Sequence, residues 1–129
     1  MRGILDCPCG CGTELNSEFV KLLETIEAEL KLKLQNYEMY ITSGARCEKY
    51  NNEQGHTKNS AHTLGLAADI RIDNSHQLFL LWQAILKSGI KRIGDGINRN
   101  FIHIDIAKGK LKYPHNKMTE YPQEIVWSY

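Results

Sequence analysis

The sequence predicts an α+β domain in which helices pack on a small, mainly antiparallel sheet. Two apolar stripes at helical spacing and three short strand-like segments predict it. The stripes are Phe19, Leu22, Leu23, Ile26 and Leu30, then Leu78, Leu81, Trp82 and Ile85. The segments are Glu38 to Ser43, Ala68 to Asp73 and Phe101 to Ile106.

In chain order, Ser17 and Glu18 open the first helix, and Glu24, Glu27, Lys31 and Lys33 colour its solvent face. Glu38 to Ser43 is rich in Tyr, Ile and Thr and is closed by Gly44, as a strand is. Asn51 to Asn59 is polar, contains Gly55, and reads as a loop. The next strand alternates, with Asp69, Arg71 and Asp73 opposite its apolar face. Asn74 or Ser75 caps the second helix and Gly89 ends it. Lys91 to Ile97 is a short strand or turn built on Gly94-Asp95-Gly96. Beyond it Ile102, Ile104 and Ile106 face the core, while Phe101, His103 and Asp105 share the other face. Past Ala107 the chain is basic and loop-like, broken by Pro114 and Pro122.

Chemistry concentrates in Ser60-Ala61-His62-Thr63-Leu64-Gly65-Leu66-Ala67-Ala68-Asp69 and in His103. Two imidazoles and a carboxylate are the protein ligands of a catalytic zinc that keeps one position open for water. Ligands about 2 Å from one ion bring His62 and Asp69 within roughly 3–4 Å of each other. Seven residues of straight helix would part them by about 10 Å, and seven of strand by more than ~20 Å. The chain must therefore fold back between them, with Gly65 supplying the dihedral freedom and Ala67 and Ala68 the space.

At these residues the chain resembles the zinc D-alanyl-D-alanine carboxypeptidases, in the superfamily that includes hedgehog domains and phage wall endopeptidases. That family carries Ser-x-His-x-x-Gly-x-Ala-x-Asp and a distal His on a strand. Ser60, His62, Gly65, Ala67, Asp69 and His103 fill every fixed position. Ser43-Gly44-Ala45-Arg46 is similar to the family's Ser-Gly-x-Arg, and Val126-Trp127-Ser128-Tyr129 to the close of small members. The resemblance runs from about Cys7 to Tyr129. It implies a hedgehog/DD-peptidase-like fold and one zinc peptidase domain over 1–129, with a Cys-rich segment at 1–16. It implies Zn2+ held by His62, Asp69 and His103, and hydrolysis of peptidoglycan stem peptides or cross-bridges containing D-amino acids. Arg46 is implied to face the substrate and stabilise a developing oxyanion. Ser60 and His56 are the other expected substrate-side residues.

The better-known relatives place a His two residues, or an acid three residues, before the distal ligand; Phe101 and Asn100 stand there instead. Asp105, two residues beyond His103, is the expected base or ligand-orienting partner, with Asp95 as the other candidate. This departure keeps open a zinc-stabilised binding module without catalysis. His76, in a first helical turn, and His115, after Pro114, read as ordinary surface residues.

Sixteen basic against fifteen acidic residues give a formal charge of +1, which argues against a nucleic-acid partner. No apolar run is long enough for membrane insertion, and Met1 to Asp6 is too short and polar for a signal peptide. A monomer is expected, cytoplasmic as synthesised and acting on the cell wall, as a phage lysis enzyme or small wall hydrolase does. The four cysteines are Cys7, Cys9, Cys11 and Cys47. Small family members carry a similar cysteine pattern. A second, thiolate-held zinc is one reading, but Cys-x-Cys-x-Cys lacks the usual spacing of zinc knuckles. A disulfide from Cys47 to one N-terminal cysteine, or reduced thiols, is favoured over it.

Overall fold

Asn16 starts the first helix by accepting hydrogen bonds from the Glu18 and Phe19 amides at 3.0 and 3.1 Å. The structure, a computed structural model, describes residues 1–56, 60–112 and 118–129. A two-residue strand β1 (Arg2–Gly3) precedes helix α1 (Ser17–Lys31), which is followed by β2 (Tyr40–Ser43) and a short helix α2 (Glu48–Glu53). A 3-10 turn (Ala61–Leu64) leads into β3 (Ala67–Arg71), α3 (Ser75–Lys87) and β4 (Arg92–Gly96). A second 3-10 turn (Ile97–Arg99) leads into β5 (Phe101–Asp105), then β6 (Gly109–Lys112), β7 (Met118–Tyr121) and β8 (Ile125–Ser128).

Six strands form one mixed sheet in the order β1-β2-β3-β5-β4-β8, and β6 and β7 form a separate hairpin. The three central pairings are antiparallel and the two outer ones parallel. The α+β class and the mainly antiparallel centre agree with the sequence. α1 and α3 lie together on one face, where Phe19, Leu23, Ile26, Leu30, Leu81 and Ile85 meet Ile41, Ile70, Ile93 and Ile102. Among the described residues eleven large apolar side chains are almost fully buried, and none of them is an expected site residue. Burying each contributes roughly 1.5–3 kcal/mol, so the fold rests on this face.

Three sequence expectations change. Residues 48–53 form a helix that takes in the first three positions of the segment read as a loop, Asn51 to Asn59, and the Cys47 side chain caps it at the Tyr50 amide. The tail past Ala107 contains three strands, since β8 gains a parallel partner in β4 that no local pattern announces. His115 and Pro114 lie outside the described residues. Glu27, placed by periodicity on the solvent face of α1, is 7% exposed. Its carboxylate accepts from the buried Met39 amide at 2.7 Å and from the Met1 amino group at 3.1 Å. Glu27→Ala leaves that buried amide without its acceptor and is expected to cost about 1–3 kcal/mol. Urea unfolding of Glu27→Ala beside Glu27→Gln checks this, because the amide oxygen of Gln retains the acceptor. Equal stability of all three proteins would refute it.

Candidate metal centre

Strand register builds the centre. β3 and β5 run antiparallel with Asp69 directly opposite His103, so the two side chains leave one face of the sheet side by side. Asp69 Oδ1 lies 2.9 Å from His103 Nδ1. His62 arrives from the 3-10 turn, and its Nε2 is 3.4 Å from the same oxygen. Gly65 ends that turn at φ +70°, a conformation that side chains disfavour, and reverses the chain into β3. A Cβ there would also sit 2.7 Å from the Glu14 carbonyl oxygen.

One potential ligand atom from each of His62, Asp69 and His103 lies within 4.8 Å of the others. Ligands about 2.1 Å from a tetrahedral ion stand roughly 3.4 Å apart, close to these separations. The ring nitrogens turned away from the cluster are both engaged. His62 Nδ1 donates to the Gly44 carbonyl at 2.7 Å, and His103 Nε2 donates to Asp105 Oδ2 at 2.8 Å. With an ion bound, each bond would hold its ring N–H away from the metal and leave the other nitrogen's lone pair on the Asp69 side. The donor set and its backing therefore fit a divalent metal.

Burial alone would raise the Asp69 carboxyl, but hydrogen bonds from His103 and His62 outweigh it and hold the group well below the carboxylate range. For His103 burial favours the neutral ring, and the bonds to Asp105 and Asp69 outweigh that and raise its pKa. A negative pocket of this kind holds a cation, whether proton or metal.

Asp105 is 1% exposed and fully engaged behind the centre. Beyond the His103 bond, its Oδ1 accepts from Arg92 Nε at 2.6 Å and from the Ala107 amide at 3.2 Å. Arg92 in turn lies over the Tyr121 and Trp127 rings, each centroid 5.0 Å away. Asp95 takes no part: it pairs with Ile102, one register position off the His103 face, and accepts from the Ile97 amide at 2.9 Å. Asn100, at φ +61°, is a turn residue.

The cleft over the centre holds about 420 Å³ and is lined by Arg46, His56, Ser60, Phe101, Arg99, Trp127 and Tyr129 among others. All three substrate-side expectations, Arg46, Ser60 and His56, border it. Arg46 is 7% exposed and donates to Ser43 Oγ at 2.8 Å and Ser60 Oγ at 3.4 Å, while its buried Nε finds no acceptor among the described residues. Ser60 also accepts from the His62 amide at 3.2 Å, so it ties Arg46 to the ligand turn. Burial first, then the neighbouring Arg46, lowers the His56 pKa and favours its neutral ring.

Sequence reasoning assigned no role to Arg92, Trp127 or Tyr129. Arg92 has a legible signal, since it shares strand parity with Gly94, the register partner of His103. Trp127 has only the family-like ending Val126–Tyr129 as a signal, and the β4–β8 pairing alone sets it beside Gly94, its ring 5.3 Å from that of His103. Gly94 makes this shelf possible: a Cβ would stand 2.7 Å from Tyr129, 2.9 Å from His103 and 3.0 Å from Trp127.

Among known proteins, a family model described as Peptidase M15 matches residues 4–105. That span holds the three clustered residues and Arg46, and ends before the aromatic strand. No curated protein matches the chain.

Proposed function

We propose that this chain, which belongs to the peptidase M15 family, hydrolyses peptide bonds in peptidoglycan stem peptides or cross-bridges with a zinc ion held by His62, Asp69 and His103. The observation that carries the proposal is the Asp69–His103 cross-strand pair joined by His62, with both imidazoles backed by acceptors. A divalent ion bound there supplies a Lewis acid for the scissile carbonyl and acidifies water.

The chain's own residues do the rest. Asp105 holds His103 in one tautomer and orientation, and Arg92 holds Asp105. Arg46 presents a permanent cation, its Nε unpaired among the described residues, to the negative charge that develops on a peptide carbonyl. His56, neutral on the cleft rim, accepts and returns a proton. Phe101, Trp127 and Tyr129 form an apolar wall that excludes water from one side of the peptide.

The test is digestion of purified peptidoglycan with and without a chelator, the fragments read by mass spectrometry. New peptide termini that vanish with chelator and return with added zinc are expected, and their masses name the bond. Metal binding with intact peptidoglycan would favour the non-catalytic module instead. No helix among the described residues is long and apolar enough to cross a membrane.

The roles of Asp105 and His56 separate in one comparison. Asp105→Asn loses the charge behind His103 and is expected to weaken zinc affinity about 10–100-fold. His56→Ala keeps its zinc and loses turnover by about 10²–10⁴. Because the His56 pKa lies below the ordinary value, wild-type activity should hold through neutral pH and fall only as acid protonates the ring. Zinc titrations and pH–rate profiles of both variants check this. Full turnover in His56→Ala with the same acid limb would assign proton transfer elsewhere.

A further inference from the structure

We propose that Cys7, Cys9, Cys11 and Cys47 form a second metal centre, a four-thiolate structural site for zinc that pins the N-terminal segment to the strand-to-helix connection carrying Arg46. It lies outside the cleft, and it stands whether or not the activity proposed above does.

The four sulfurs come from segments almost forty residues apart, yet all lie within 4.8 Å of one another. Cys7 and Cys9 sulfurs are 3.4 Å apart, and Cys9 and Cys47 sulfurs 3.6 Å. Four thiolates about 2.3 Å from one tetrahedral ion stand roughly 3.8 Å apart. A disulfide brings two sulfurs to about 2.05 Å and gives the other two no reason to converge. All four cysteines are free.

The short spacing that argues against zinc in the sequence is answered by the backbone. Gly10 and Gly12 adopt φ of +81° and +89°, left-handed values that curl the segment. The Cys7 amide donates to the Thr13 carbonyl at 2.9 Å and the Gly10 amide to the Cys7 carbonyl at 3.2 Å, closing the curl. On a strand Cys7, Cys9 and Cys11 would share a face but stand roughly 6.5 Å apart in succession; the curl draws their sulfurs to one point instead.

Two backbone donors also address the sulfurs. The Cys47 amide donates to Cys7 Sγ and the Tyr50 amide to Cys47 Sγ, both at 3.3 Å. Such bonds offset thiolate charge around an ion. Cys7 is buried and Cys47 half-buried, while Cys9 and Cys11 are exposed, which leaves a path for an ion to enter. On binding, each sulfur forms a bond to the ion and releases its proton to solvent; the ion stays divalent and nothing is oxidised.

The site has a use. Cys47 follows Arg46 and caps α2, and the Ala45 amide donates to the Leu5 carbonyl at 2.8 Å. An ion on the cysteines locks this connection and with it the Arg46 side of the cleft.

Reduced wild-type protein loaded with cobalt(II) tests the proposal. Thiolate ligands give an intense sulfur-to-cobalt charge-transfer absorption, which a His/Asp site does not. The absorption is expected in wild type, retained in His103→Ala and lost in Cys9→Ser, with native mass spectrometry showing one fewer zinc in Cys9→Ser than in wild type. Absence of the band from reduced, folded wild type overturns the proposal. So does an intact mass short of two hydrogens after purification under reducing conditions. Should Cys9→Ser fail to fold, the wild-type spectrum alone decides. Failure of the cleft site leaves the band in place, so the two readings fall separately.

Discussion

His103→Ala is expected to abolish metal-dependent hydrolysis and leave a cooperatively folded protein. The loss should exceed the about 10–100-fold that removal of a supporting residue costs, because His103 supplies a donor atom itself. It removes the Nδ1 that faces Asp69 at 2.9 Å and strands Asp105, whose Oδ2 loses its partner. The fold should nevertheless survive. The core of α1, α3 and the isoleucine face lies on the opposite side of the sheet and does not include His103. Calorimetry, zinc content of the cleft and peptidoglycan turnover, measured on one preparation, check all three statements. A missing thermal transition in His103→Ala would make the cleft metal structural and weaken the catalytic reading.

Arg46→Ala should lower turnover by about 10²–10³, the range for losing one donor to a developing oxyanion, with cleft zinc unchanged. Arg46 is held by Ser43 and Ser60 rather than by a ligand side chain, and its buried Nε is unpaired among the described residues. Arg46→Lys should recover only part of the loss, since a point charge does not reproduce a planar fork. The variant also probes the architecture. The Arg46 amide donates to the His62 carbonyl at 3.0 Å, a bond that survives any side-chain change, so the ligand turn should keep its position. Steady-state kinetics with metal analysis distinguish the outcomes. Turnover within a few-fold of wild type in Arg46→Ala would move charge stabilisation to Arg99, which also lines the cleft and, unlike Arg92, is not bound to Asp105.

The clustered residues were legible because their signals are local. His62, Gly65 and Asp69 fall in one ten-residue run whose glycine and alanines make sense only if the chain turns back. Strand parity placed His103 and Asp105 together. What parity cannot supply is direction within a face: it put Asp105 near the centre, but whether it faces the cleft or the back of His103 depends on Arg92. The same limit applies to Glu27, which has helical periodicity appropriate to solvent and is buried by β2 arriving beside it.

The sequence by itself determined the α+β class, both long helices, the central strands and the turn that brings His62 back to Asp69, each through periodicity or through a turn whose chemistry is written in adjacent residues. His103 joined them only through the family resemblance until the β3–β5 register set it opposite Asp69. Only tertiary structure decided the rest. The aromatic shelf depends on β8 pairing parallel to β4 and on Gly94 leaving room beneath it. The convergence of four cysteines depends on two left-handed glycines and on a segment about forty positions away. Contacts between segments distant in sequence are set by packing and register, and neither leaves a periodic trace in the residues that make them.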